Sequence, residues 1–134
     1  MTMFKQKIFI YSFIVLIIVA IFQNLGTSFD LYTIYPWYDI PMHILGGLWV
    51  SLFTLSIYIY FFNNTSIPNY RKKVFQVMCI TLLFVAVSWE IFEIIGHMTF
   101  LSDGIWYWID TIKDIFDDFI GGMLGYYFYT RNNQ

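Results

Sequence analysis

The sequence predicts an all-α polytopic membrane protein with four transmembrane helices and both termini on the cytoplasmic side. Three observations carry this. Long apolar runs free of formal charge recur along the chain. Only 12% of residues are charged, against about a quarter in soluble domains. The charges present are also sorted by sign. Lys5, Lys7, Arg71, Lys72, Lys73 and Arg131 sit at one set of segment ends. Asp30, Asp39, Glu90, Glu93, Asp103, Asp110, Asp114, Asp117 and Asp118 sit at the other, and Lys113 alone breaks the pattern.

The first span is expected over about 8–26. Residues 8–29 carry no charge and open with IFIYSFIVLIIVAIF, long enough to cross hydrocarbon as a helix. Lys5 and Lys7 raise the question of a signal peptide. The apolar region is too long for one and lacks a small-x-small cleavage site, so a retained helix is expected. Residues 27–38 read as a loop whose rings, among them Phe29, Tyr32, Trp37 and Tyr38, suit the headgroup level.

Pro36 and Pro41 bracket the start of the second span, as suits proline in a first turn. That span runs over about 40–62. Residues 63–73, NNTSIPNYRKK, form a polar turn with three adjacent cations. The third span is placed at about 74–96, and its first sixteen residues, Val74 to Trp89, are uncharged. Residues 97–109 read as a second ring-rich loop.

The fourth span is the unusual one. The uncharged stretch from Phe119 to Thr130 is twelve residues, only about 18 Å of helix against a hydrocarbon layer of about 30 Å. A spanning helix must therefore begin near Asp110, giving about 110–129 and carrying Asp114, Asp117 and Asp118 into the membrane. The alternative lays residues 110–118 on the surface as an amphipathic segment before a re-entrant helix. The chain is expected to form a single four-helix membrane domain over 1–134.

The excess of cations inside sets the orientation. The Asn63-Asn64-Thr65 sequon then falls on the cytoplasmic side and is set aside. The one cysteine, Cys79, lies in an apolar run and reads as a packing residue. No basic patch or nucleic-acid motif is present, which excludes that partner class. The bilayer is the expected partner, and a homo-oligomer is compatible with the pattern.

Polar groups on three segments converge at one depth. The second span begins Asp39-x-x-x-His43, the third ends Glu90-x-x-Glu93-x-x-x-His97, and the fourth begins Asp110-x-x-x-Asp114-x-x-Asp117-Asp118. At about 100° per residue each set shares a helix face. Gly46, Gly47, Gly121, Gly122 and Gly125 continue these faces, and small residues four apart let membrane helices approach closely. Asp39, Glu90, Glu93, Asp110, Asp114, Asp117 and Asp118 bring seven negative charges against one Lys113. Carboxylates gathered in low dielectric require protons or a metal. Oxygen ligands with one or two imidazoles suit Mn, Fe, Zn or Mg. The expected metal-ligand set is Asp39, His43, Glu90, Glu93, His97, Asp110, Asp114, Asp117 and Asp118, with Glu90 or Glu93 as catalytic base where unligated.

Plainer readings exist for each residue. Asp110 and Asp114 are also what a helix N-terminus favours electrostatically. His43 and His97 each suit a hydrogen-bonded packing or interface role. Asp30 and Asp103 read as solvated loop acids. The Glu90/Glu93 pair fits a plain reading least well, because it follows the long uncharged run.

The segments YDIPMHILGGL, SWEIFEIIG and DTIKDIFDDFIGGMLG resemble the motifs of small bacterial YjdF-type inner-membrane proteins, which are distantly similar to VanZ-like membrane proteins. The matching positions are Asp39, His43, Gly46 and Gly47, then Trp89, Glu90 and Glu93, then Asp110, Asp114, Asp117 or Asp118, with Gly121 and Gly125. The resemblance covers roughly residues 38–126 and implies a multi-pass protein of the bacterial inner membrane.

Three functions compete. The first is a metal-dependent hydrolase or transferase acting on a lipid or lipid-linked headgroup at the outer surface. Against phosphate chemistry, Lys113 is the only outer cation, and neither a lipid-phosphatase Arg/His signature nor the full CDP-alcohol transferase motif is present. The second is a cation or proton carrier, which the scarcity of ionisable groups in the inner halves opposes. The third is a non-catalytic protein whose metal clips three helices together.

Overall fold

A chain in hydrocarbon must satisfy its backbone hydrogen bonds within itself, which leaves a sequence this apolar little choice but helix. The computed structural model describes residues 3–62, 69–96, 98–99 and 101–132, and it is all-helical. The long helices are α1 (Met3–Ser28), α3 (Asp39–Phe62), α4 (Tyr70–Ile95) and α5 (Ile105–Asn132), with a single turn α2 (Leu31–Ile34) and a 3₁₀ turn at Pro36–Tyr38 between the first two. Residues 63–68, which carry the Asn63-Asn64-Thr65 sequon and most of the turn expected over 63–73, and His97, lie outside the described residues.

Turn chemistry sets the breaks. Asp30 adopts a left-handed conformation (φ 52°) after α1, a region in which Asp is among the better-tolerated residues. Gly104 does the same (φ 64°) just before α5, where glycine carries no steric penalty. Gly96 ends α4, its N–H bonded to Phe92 O at 2.8 Å.

Helix α3 is the hub, packed against α1, α4 and α5, with its largest interface on α5. Ile8 of α1, Ile59 of α3, Val74 of α4 and Tyr129 of α5 belong to one buried cluster. The starts of α1 and α4 therefore lie beside the ends of α3 and α5. At the opposite end the Tyr38 hydroxyl donates to Phe22 O at 2.8 Å, tying the start of α3 to the end of α1. The long helices thus alternate in direction. Lys7, Arg71, Lys72, Lys73 and Arg131 gather at one end of the bundle, and Asp39, Glu90, Glu93, Asp110 and Asp114 at the other.

Among the described residues, three segments, Lys7–Ser28, Pro36–Phe62 and Tyr70–Ile95, are long and apolar enough to cross a membrane. Their outward faces are strongly apolar, with Phe84 72% and Ile80 69% exposed. Continuous apolar surface on this scale suits lipid rather than water. Helix α5, with 28 residues, is about 42 Å long, so length is no obstacle to its spanning; its acids keep it out of the apolar class. Asp114 and Asp117 are buried, while Ile112, Phe116, Met123 and Leu124 face outward.

The helix bounds differ from expectation mainly here. The fourth span, expected from about Asp110, belongs to a helix that begins at Ile105, so Trp106, Tyr107 and Trp108 are helical rather than loop. Residues 105–132 form one continuous helix, so the segment 110–118 and the apolar stretch after it belong to a single element. The third helix starts at Tyr70, four residues before the expected Val74.

Candidate metal and carboxylate site

The crossing of α3 and α5 is built on backbone contact. A Cβ at Gly47 would collide with the Asp118 carbonyl, and one at Gly121 with that of Ile44. Glycine at both positions brings the two helices close enough for side chains one turn toward the acidic end to meet.

There His43, 7% exposed, is surrounded by acids. Its Nε2 lies 3.4 Å from Asp39 Oδ1 and 3.9 Å from Asp114 Oδ2, and its Nδ1 lies 3.5 Å from Asp118 Oδ1. These separations exceed a good hydrogen bond. Asp39, His43 and Asp114 each offer a ligand atom, and the three atoms lie within 4.8 Å of one another. Two donors on one divalent ion stand roughly 3–4.4 Å apart at ordinary bond lengths, so modest side-chain movement would let the trio hold one. Two carboxylates and an imidazole leave coordination positions open, as catalytic rather than closed sites do.

Lys113 is the second feature. Its Nζ lies 2.7 Å from Asp114 Oδ1, 2.9 Å from Asp110 Oδ1 and 3.2 Å from Asp39 Oδ2. The Asp114 contact is an ion pair without hydrogen-bond geometry, for Asp114 Oδ1 is buried with no hydrogen-bond partner among the described residues. The residue that broke the charge pattern in the sequence therefore sits among the acids as their counter-ion.

The third-span acids form an adjoining group on α4. Glu90 is buried and accepts a 2.6 Å hydrogen bond from the Thr111 hydroxyl of α5. Glu93 is half-buried and accepts from Trp89 Nε1 at 2.8 Å. Asp117 is buried, with Oδ2 lacking a hydrogen-bond partner among the described residues. Asp110 is 55% exposed and reaches the group only through Lys113. Above the site, the Tyr32 hydroxyl donates to Gln23 Oε1 at 2.5 Å. Burial, and then the Asp39 carboxylate, push its phenol up to about 12, so it stays a donor.

Of the residues singled out in the sequence, the structure gathers Asp39, His43, Asp114 and Asp118 around one imidazole. It places Glu90 and Glu93 beside them on α4, and leaves Asp110 at the rim. Thr111, Trp89 and the bridging role of Lys113 were not foreseen as parts of the site. The spacing held a signal for Thr111, which follows Asp110 and precedes Asp114 on the side of α5 that turns toward α4.

No curated protein and no solved structure matches the chain significantly. The family comparison supports membrane residence and stops short of the YjdF-type or VanZ-like likeness of the motifs. The match extends over residues 2–134, and the chain belongs to the family described as predicted membrane protein (DUF2238).

Proposed function

We propose that this protein crosses the bacterial inner membrane four times with both termini in the cytoplasm, and that it holds a divalent metal near the outer face. There it acts as a metal-dependent hydrolase or transferase on a lipid or lipid-linked headgroup. The observation that carries the reading is the buried Asp39–His43–Asp114 trio, from two helices, with ligand atoms within 4.8 Å of one another. Asp118, beside His43 Nδ1, orients the imidazole as a second carboxylate partner, as such ligands commonly require. Mn, Fe, Zn and Mg all suit this donor set. The metal would polarise the headgroup or activate water. Glu93, half-buried and oriented by Trp89, is better disposed to act as base than Glu90, whose Oε2 already accepts from Thr111.

Four crossings are supported by α5, which turns Asp114 and Asp117 inward and Ile112, Phe116, Met123 and Leu124 outward. The likeness to YjdF-type proteins, and any part played by His97, belong to this proposal as well. A carrier is disfavoured, because Leu55, Met78 and Leu82 are at most 1% exposed and lie in the apolar core on the cationic side of the site. An ion path there would have to cross packed hydrocarbon.

Metal analysis of the detergent-purified protein tests the site. Wild type is expected to carry about one Mn, Fe or Zn per chain, falling to background in the His43→Ala/Asp114→Ala variant. Chelator-sensitive turnover of a membrane lipid extract would then separate an enzyme from a structural clip. A wild type that neither carries nor takes up divalent metal overturns the reading.

A further inference from the structure

Lys113 holds the same two carboxylates that a metal would need, through the oxygen of each that does not face His43. Asp39 and Asp114 are two of the three candidate ligands, and the Lys113 ammonium lies 3.2 Å from one and 2.7 Å from the other. Asp114 is 2% exposed and its Oδ1 has no hydrogen bond among the described residues. A buried carboxylate oxygen in that condition needs a cation, and the ammonium supplies it. A divalent ion bound by Asp39 and Asp114 would face Lys113 at close range, and like charges at such distances repel strongly away from bulk water. The competition is therefore electrostatic, between two cations drawn to opposite oxygens of the same pair of carboxylates.

A place for the displaced side chain already exists. Asp110 lies one turn nearer the helix start, its Oδ1 is 2.9 Å from Lys113 Nζ, and it is 55% exposed. Lys113 is itself 36% exposed, so its flexible stem needs only a small rotation to leave the buried pair while keeping a carboxylate partner. Asp114 paired to Lys113, and Asp114 paired to metal with Lys113 on Asp110, are thus two discrete arrangements of one residue set.

We infer that Lys113 is a tethered counter-ion that fills the Asp39/Asp114 carboxylates when no metal is bound and moves out to Asp110 when one binds. This rests on the metal reading above and adds to it a regulatory element within the site. The tethered ammonium keeps the acids compensated in the empty protein, sets the concentration at which metal enters, and delivers a free cation to the outer rim once metal is in place. By linkage, anything that holds Lys113 at the rim, such as a phosphate-bearing headgroup, tightens metal binding by the same factor that metal tightens its own hold.

The test uses full-length protein in detergent, with Mn²⁺ and Zn²⁺ as probes in equilibrium dialysis. Lys113→Met, which keeps the length and removes the charge, is expected to bind both ions roughly tenfold or more tighter than wild type, within the usual range of coupling between sites. Lys113→Arg is expected to stay near wild type. In parallel, limiting acetylation read by peptide mass spectrometry should show Lys113 reacting several-fold faster with metal present, with Lys72 and Lys73 unchanged as internal references. Equal affinity in Lys113→Met and wild type, or unchanged Lys113 reactivity on saturation, overturns this inference and leaves the metal site standing. Absence of binding in wild type and Lys113→Met alike overturns both.

Discussion

At the scale of single residues, the bond between Thr111 and Glu90 shows what a buried carboxylate needs. Glu90 is 6% exposed, and the Thr111 hydroxyl donates to it at 2.6 Å across the α4–α5 interface. Thr111→Val keeps the shape and removes the donor. The variant is expected to lose about 1–3 kcal/mol, the cost of leaving a buried polar group unmet. Thr111→Ser should retain most of the wild-type stability. Chemical unfolding in micelles of constant composition checks both, and a Thr111→Val protein as stable as wild type would show the bond to be dispensable. Glu90 stood out in the sequence because an acid after sixteen uncharged residues has few innocuous explanations. Thr111 did not, since threonine is common in membrane helices and its partner lies 21 positions away. Lys113 was visible only as an exception to charge sorting. Asp110 and Asp114 are its neighbours on α5, but that it also reaches Asp39 depends on how α3 and α5 cross, which no spacing within one segment reveals.

At the scale of elements, the α3–α5 crossing makes a graded prediction about its glycines. Gly47 and Gly121 face partner backbone, which cannot rotate away, so Gly47→Ala and Gly121→Ala are each expected to cost roughly 1–3 kcal/mol or more. Gly122 faces the Leu82 side chain, which can adjust, so its alanine variant should be milder. Gly46 has only Asp118 Oδ1 at 3.8 Å, and Gly46→Ala should lie within about 0.5 kcal/mol of wild type. Thermal unfolding of the four variants checks the order, and comparable losses at Gly46 and Gly47 would contradict the close approach. The existence of this crossing was legible, because small residues spaced by four mark helix contact in membranes. The division of labour among the glycines was not, since the repeat does not say which neighbour each one faces. The start of α5 was misplaced for a related reason. Trp106, Tyr107 and Trp108 have the composition of an interfacial loop, and the acids from Asp110 onward look like a boundary. The left-handed Gly104, one residue ahead of α5, was the better punctuation.

At the scale of the whole molecule, composition pointed to lipid and charge sorting pointed to the two ends of the bundle; the central position of α3 and the outlying position of α1 were hidden. In water a buried face is apolar and an exposed one polar, so periodicity reveals packing. In lipid both faces are apolar, and only polar residues betray the inside, which is why α5 could be oriented by its acids and α1 could not. This makes α5 the decisive element for topology. Asp114 and Asp118 meet His43 of α3, Thr111 meets Glu90 of α4, and the outward face of α5 carries Ile112, Phe116, Met123 and Leu124. With that face in hydrocarbon, the cationic end, with Arg71 and Arg131, lies opposite the end that carries Ser102. On the proposed orientation in the bacterial inner membrane, and on a Cys79→Ser background, cysteines placed at Thr27 and at Ser102 are expected to react with a membrane-impermeant maleimide on intact spheroplasts. One at Lys72 or Thr130 should react only after permeabilisation. Labelling of Thr130→Cys and Ser102→Cys from the same side would mean that α5 does not span, and that its acids meet the bundle from the membrane surface.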